Sequence, residues 1–194
     1  MNRIGRRFVL GFDGMELPRP LLDFARRFGL GGVILFRRNC PDAAGVAALV
    51  RRAREGLAAA DPGGRPLVLV DQEGGRVERI REGVPHLPSA AELGRAGEGA
   101  VEAAARAQAV ALARLGVDVN LAPVCDVLQE GESGAIGDRS FGADPQAAGR
   151  LAAAFVRGCL SGGVLPCAKH FPGHGAARVD SHLGLPRVQK TWED

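Results

Sequence analysis

Five short apolar runs, each followed by a longer stretch, constrain the fold of this chain more than any other feature. The runs are Arg7 to Phe12 (RFVLGF), Gly32 to Phe36 (GVILF), Pro66 to Asp71 (PLVLVD), Val117 to Ala122 (VDVNLA) and Val164 to His170 (VLPCAKH). Near-continuous hydrophobicity over so few residues suits strands buried on both faces of a parallel sheet. Between them, Pro18 to Phe28 carries Leu21, Leu22, Phe24 and Ala25 at helical spacing. Asp42 to Ala60 does the same with Val46, Leu49, Val50, Ala53 and Leu57, before the break at Asp61-Pro62-Gly63-Gly64. Ala100 to Leu115 and Pro145 to Leu160 are Ala-rich helices stopped by Gly116 and Gly162-Gly163. Strand and helix alternate throughout, so the predicted class is α/β with parallel strands.

Polar residues gather just after the strands: Asp13, Arg37 with Asn39, Asp71 with Glu73, Asp126 and His170. In a βα barrel the carboxyl ends of the strands and the loops that follow them form the active face. An eight-unit barrel takes about 250 residues. The 194 residues are therefore expected to form one incomplete barrel domain over 1–194, holding about the first five βα units, with PRVQKTWED opening a further connection. The irregular stretches Arg81 to Ser89 and Gln129 to Asp144 are where functional loops are expected.

Composition removes several classes. At 46% hydrophobic the chain buries a core, and its net charge of +3 is small. Of 25 basic residues only Lys169 and Lys190 are lysines, and the arginines are dispersed among acids, with no basic block suited to nucleic acid. The apolar run after the basic start is about five residues long, short of the roughly 7–15 of a signal peptide. No stretch approaches the roughly 18 apolar residues of a membrane span, so a cytoplasmic location is expected. Cys40, Cys125, Cys159 and Cys167 lack CxxC spacing and are expected to be small buried apolar side chains in a reducing compartment.

Chemistry concentrates between Lys169 and Pro186, KHFPGHGAARVDSHLGLP, which holds three of the four histidines. Pro172, Gly173 and Gly175 predict a shaped loop rather than a helix. Asp180 and His182, two apart in such a loop, suit a carboxylate that fixes one imidazole tautomer and raises its basicity. His170 and His174 have the spacing of a zinc pair, but that spacing shares a face only on a helix, and a third ligand from Asp180 or His182 would be required. DQEGGRVERI, Asp71 to Ile80, reads either as a carboxylate acceptor for sugar hydroxyls beside a guanidinium or as a βα turn held by an ion pair. Arg139 in GDRSFG is either a gripping fork or a solvated side chain. Asp126 in NLAPVCD is a helix cap, a support residue or a ligand contact. His86 is expected to be structural.

Taken together, DQEGGRVERI, NLAPVCDV, IGDRSFG and AKHFPGHG followed by DSHLGLP resemble the family 3 glycoside hydrolases, specifically the bacterial beta-N-acetylglucosaminidases, over about Gly11 to Pro186. The resemblance implies a (β/α)8 TIM barrel that releases terminal non-reducing N-acetylglucosamine from peptidoglycan fragments, with retention and without metal or cofactor. It assigns Asp71, Arg79, Arg139, Lys169 and His170 to sugar binding. Asp180 and His182 match the acid/base dyad, in which His182 protonates the departing oxygen and later deprotonates water while Asp180 orients the imidazole. An unperturbed imidazole pKa near ~6.5 gives access to both protonation states at neutral pH. The implied partner is a small carbohydrate, an N-acetylglucosaminyl muropeptide, with neither nucleic acid nor membrane. The family's nucleophilic aspartate lies on a later strand, beyond Asp194, so these residues alone are expected to be inactive. Ala176-Ala177 stands where the family usually has Asp-Thr. A non-catalytic sugar-binding fragment and a beta-glucosidase-type member remain as alternatives.

Overall fold

The computed structural model describes residues 3–128, 136–171 and 173–175. In chain order it runs β1 (Val9–Gly11), α1 (Arg19–Phe28), β2 (Gly32–Leu35), α2 (Ala43–Ala60), β3 (Leu67–Val70), a hairpin of β4 (Gln72–Gly74) and β5 (Val77–Glu78), α3 (Ala90–Arg95), α4 (Glu98–Arg114), β6 (Val119–Asn120), α5 (Pro145–Ser161) and β7 (Leu165–Pro166). The helices begin where the sequence supplies caps. Asp42 accepts from Gly45 N at 2.7 Å, Ser89 from Glu92 N at 3.3 Å, and Asp144 from Gln146 N at 3.0 Å with Pro145 at the first helical position.

β1, β2, β3, β6 and β7 form one parallel sheet whose spatial order is the order of the chain. Right-handed crossovers between successive neighbours all place their helices on the same side, so the sheet is singly wound, as in a βα barrel, with no reversal point. Burial agrees. Val33, Leu35, Val68 and Val70 enter one apolar cluster with Leu49, Leu57, Val101, Leu112 and Phe155 from the helices. The in-register positions that share the opposite face include Val9, Leu67 and Leu165, which are 42%, 39% and 53% exposed. The expectation of strands buried on both faces is met in part: Leu69 and Val119 on that face are 9% and 8% exposed, but among the described residues helices cover only the other face. No helix of the described residues is long and apolar enough to cross a membrane.

Four further differences from the sequence reading have local causes. β7 is shorter than Val164 to His170: Leu165 N and Cys167 N donate to the Asp118 and Asn120 carbonyls at 2.9 Å each, Pro166 between them has its amide position turned away from β6, and Lys169 rejoins the sheet through a parallel bridge to Val124. The β4–β5 hairpin and α3 are too short for periodicity to register. Arg7 belongs to a 3₁₀ turn, Ile4–Arg7, rather than to β1. Burial pushes the Cys40 thiol up to about 11 and the Cys159 thiol to about 12, as inert apolar groups should behave, but Cys125 and Cys167 are exposed, against expectation.

The closest helix contact is between α4 and α5. A Cβ on Gly158 would stand 2.4 Å from the Glu102 carbonyl oxygen and 2.7 Å from Ala105 Cβ, and one on Gly162 would stand 2.5 Å from Ala109 Cβ. These approaches require glycine because the neighbouring atoms are backbone or methyl and cannot swing away. Gly149, on the exposed side of α5, meets nothing within 4 Å. Gly158→Ala is expected to lower unfolding free energy by about 1–3 kcal/mol, and Gly149→Ala to raise it by about 0.5–1 kcal/mol through helix propensity. Urea denaturation of the two variants checks both signs, and a stabilised Gly158→Ala would refute the close-packing account.

Candidate functional site

The site is built at the carboxyl ends of β3 and β7 and on the hairpin between β3 and α3. Asp71 is the first residue past β3, and Gln72 after it is fully buried. The Gln72 Oε1 accepts from Arg79 N and Ile80 N at 3.0 Å each, and its Nε2 donates to the Ile80 carbonyl at 2.8 Å. Asn120, at the end of β6, exchanges two bonds with the Gln72 backbone at 3.0 and 2.8 Å. Two buried amides therefore fix the hairpin, and with it the Asp71 and Arg79 side chains it carries. The hairpin turns at Gly74 and Gly75, both at positive φ, and a side chain at Gly74 would meet the Pro88 carbonyl at 2.7 Å.

Arg139 comes from a 3₁₀ turn, Gly137–Arg139, held from two sides. Arg76 Nε pairs with Asp138 at 2.9 Å and its Nη2 donates to the Ile136 carbonyl at 3.0 Å, while Ser140 Oγ donates to the Asp126 carbonyl at 2.6 Å. Lys169 and His170 follow β7, and the peptide joining them is cis.

These residues meet in a chain of alternating charge. Arg79 Nη2 lies 3.5 Å from Asp71 Oδ2, and Lys169 Nζ lies 2.7 Å from Asp71 Oδ1 and 2.6 Å from Glu73 Oε1. Arg139 grips Glu73 with both ends of its fork, Nε at 2.8 Å and Nη2 at 2.9 Å. The side chains are only partly open to solvent, from 7% for Glu73 to 29% for Arg79. Burial works against the Arg139 charge, but the Glu73 hydrogen bond and charge, with Asp71 and Asp126 behind, hold its pKa above the ordinary value. Arg79 Nε is buried without a hydrogen-bond partner among the described residues.

A second carboxylate organises the histidines. Asp126, whose side chain is fully buried, accepts from His170 Nδ1 at 2.6 Å, from His170 N at 3.3 Å, from Gly175 N at 3.2 Å and from His174 N. Burial pushes its carboxyl up, but the His170 imidazole and the backbone amides outweigh burial and hold it below the usual carboxylate range. An ionised carboxylate only accepts, so the proton facing it is on Nδ1, which leaves His170 Nε2 for other partners. The His170 and His174 rings stand edge to face with centroids 5.8 Å apart, and neither His174 nitrogen has a partner among the described residues.

The structure thus brings together Asp71, Arg79, Arg139, Lys169 and His170 from three separate segments. Asp180 and His182 lie outside the described residues. Glu73 and Asp126, seen in the sequence only as rim acids, are the centres on which these residues converge. Asp13 takes no part and is open to solvent beside Arg38, while the buried Asn39 ties down the carbonyls of Phe12 and Gly14. His86 pairs with the buried Glu78 at 2.5 Å, a structural role as expected. No group of three or more potential metal ligands occurs among the described residues.

Comparison with known proteins bears on this arrangement. The family model described as the glycosyl hydrolase family 3 N terminal domain matches residues 23–194. The beta-hexosaminidase of Tolumonas auensis is 40% identical over 190 residues, covering 96% of this chain and 54% of that protein. The beta-hexosaminidase of Thioalkalivibrio sulfidiphilus is 42% identical over 186 residues, 92% of this chain and 51% of that protein. Among solved structures, a family 3 beta-N-acetylglucosaminidase from Paenibacillus superposes with a TM-score of 0.90 at 34% identity, over 98% of this chain and 36% of that one. NagZ from Neisseria gonorrhoeae in complex with N-trifluoroacetyl-D-glucosamine gives 0.87 at 33%, over 100% of this chain and 58% of that one. The chain spans about half the length of the curated relatives it matches. With parallel strands in barrel order beneath a rim of this composition, and a family match running from α1 to its last residue, the chain belongs to glycosyl hydrolase family 3.

Proposed function

We propose that this chain is the sugar-gripping part of a retaining beta-N-acetylhexosaminidase that removes terminal non-reducing N-acetylglucosamine from peptidoglycan fragments in the cytoplasm. The observation that carries the reading is the convergence of Asp71, Arg79, Arg139, Lys169 and His170 on one rim, although they span 99 positions of sequence, 170 minus 71. Asp71 accepts from sugar hydroxyls, the cations beside it donate, and His170 offers Nε2. His182 serves as acid and then base, oriented by Asp180. The names of the relatives, and the glucosamine derivative in the Neisseria complex, support N-acetylglucosamine as the sugar.

Retention also needs a nucleophilic carboxylate, and each acid of the described rim is engaged. Asp71 is shared by Lys169 and Arg79, Glu73 by Lys169 and Arg139, and Asp126 is buried under four donors. The 194 residues are therefore expected to bind N-acetylglucosamine without turning over an aryl N-acetyl-β-glucosaminide. In an NMR titration, Asp71→Ala should weaken N-acetylglucosamine binding at least about tenfold, the loss of one charge-assisted hydrogen bond, and glucose should bind more weakly than N-acetylglucosamine. Absence of binding, or equal binding of glucose, would defeat the sugar assignment. Saturable hydrolysis by the chain, lost in His182→Ala, would defeat the expected inactivity.

The hold of Asp126 on His170 has its own test. The low carboxyl pKa contributes stability that is fully present above the unfolded-state value near ~3.9 and is lost as pH falls from there through the folded-state value. Asp126→Asn keeps one acceptor and presents a donor to the backbone amides, so it is expected to cost about 2–3 kcal/mol at pH 7. The difference from wild type should shrink below roughly pH 4. Urea denaturation at pH 7 and pH 3 measures both, and a difference independent of pH would mean that the folded protein does not rely on an ionised Asp126.

A further inference from the structure

Glu73 does more than the sequence motif requires. It lies on the hairpin two residues past Asp71, its side chain is 7% exposed, and it is bonded to Lys169 at 2.6 Å and to both ends of the Arg139 fork at 2.8 and 2.9 Å. The rim ladder holds three cations, Arg79, Lys169 and Arg139, and two anions, Asp71 and Glu73, with the Asp126 carboxylate behind Arg139 as a third, so that these described charges balance. Without the Glu73 charge the same groups carry one surplus positive charge in a partly buried cluster. Arg139 then loses its bidentate grip on Glu73, and among the described residues Lys169 keeps only Asp71.

We propose that Glu73 is the specificity-determining residue that matches this rim to an uncharged sugar, by neutralising and positioning Lys169 and Arg139 so that they serve as hydrogen-bond donors rather than as an anion trap. The proposal rests on the sugar-binding reading above. Its physical basis is that a surplus of positive charge behind water-shielding walls attracts carboxylates, while a neutral pyranose gains only from donors held in place. Asp71 cannot perform the neutralisation alone, because it already serves both Arg79 and Lys169. The discrimination is therefore against sugars that carry a carboxylate where N-acetylglucosamine carries a hydroxymethyl.

The test uses the 194-residue chain and a matched pair of ligands, N-acetylglucosamine and its C6-oxidised counterpart, N-acetylglucosaminuronic acid. Dissociation constants are measured by NMR titration for wild type, Glu73→Gln and Glu73→Asp, at low salt and at high salt. Wild type should prefer the neutral sugar. Glu73→Gln should move the ratio of affinities toward the uronic acid by roughly tenfold or more, as expected of one unit of charge changed in a partly buried rim, and high salt should shrink the shift. Glu73→Asp, which keeps the charge but loses reach, should weaken both sugars and hold the ratio near that of wild type. A fold defect would weaken both ligands without moving the ratio, so the ratio is the readout. Should Glu73→Gln not fold, the Asp variant decides, since a ratio that moves with side-chain length at constant charge overturns the proposal. If wild type binds and the Gln ratio is unchanged, the proposal fails while the sugar reading stands. If wild type binds neither sugar, both fail.

Discussion

Two carboxylates shared among three cations are the interaction on which the rim depends. Each member of the ladder from Arg79 to Arg139 is held by charge on at least one side, so none is free to choose its rotamer alone. Taking five ionised groups partly out of water is costly, and removing one partner of such a buried pair typically destabilises by about 3–5 kcal/mol because the other is left uncompensated. The arrangement is accordingly weak as a source of stability and strong as a source of order. Under the proposed sugar-binding reading, that order means that the entropy of fixing the donors has been spent in folding rather than at the moment of capture.

The ladder in turn depends on backbone that is fixed by groups of no chemical interest. Gln72 and Asn120 are buried amides bonded mainly to backbone, with Asn120 Nδ2 also donating to Gln108 Oε1 on α4 at 3.4 Å, and they hold the hairpin against β6. Beneath them, helices on one side of a parallel sheet fill the core with Val, Leu and Ala. Gly158 and Gly162 let α5 approach α4 closely behind β6 and β7. The route from composition to chemistry is therefore short: an Ala- and Gly-rich helix pair packs tightly, the strands stay in sequential order, and the residues just past the strands converge.

Much of this was legible in the sequence, and what was missed shares a cause. The five strands and four long helices follow from apolar runs, caps and glycine stops, which are local signals. Asp71 and His170 stand out because they follow strands, and strand ends in a barrel share one face. Lys169 and Arg139 were singled out by the family resemblance, and the structure joins both to Glu73, which lies 66 positions from Arg139. Glu73 and Asp126 looked ordinary because their importance lies wholly in long-range contacts that no spacing rule encodes. The exposure of Val9, Leu67 and Leu165 on one sheet face was likewise invisible, since an apolar run reads the same whether one face or both are covered.

The fastening of two successive loop amides to Asp126 has a mechanical consequence. The amides of His174 and Gly175 end on a carboxylate that belongs to a segment 49 residues earlier, and Gly175 sits so close to Val127 that a Cβ there would stand 2.2 Å from its carbonyl oxygen. Gly175 is therefore clamped from two sides, by the Asp126 carboxylate and by the Val127 backbone. The same carboxylate grips the His170 ring, so the loop amides and the imidazole share one anchor, and a displacement of either is felt by the other.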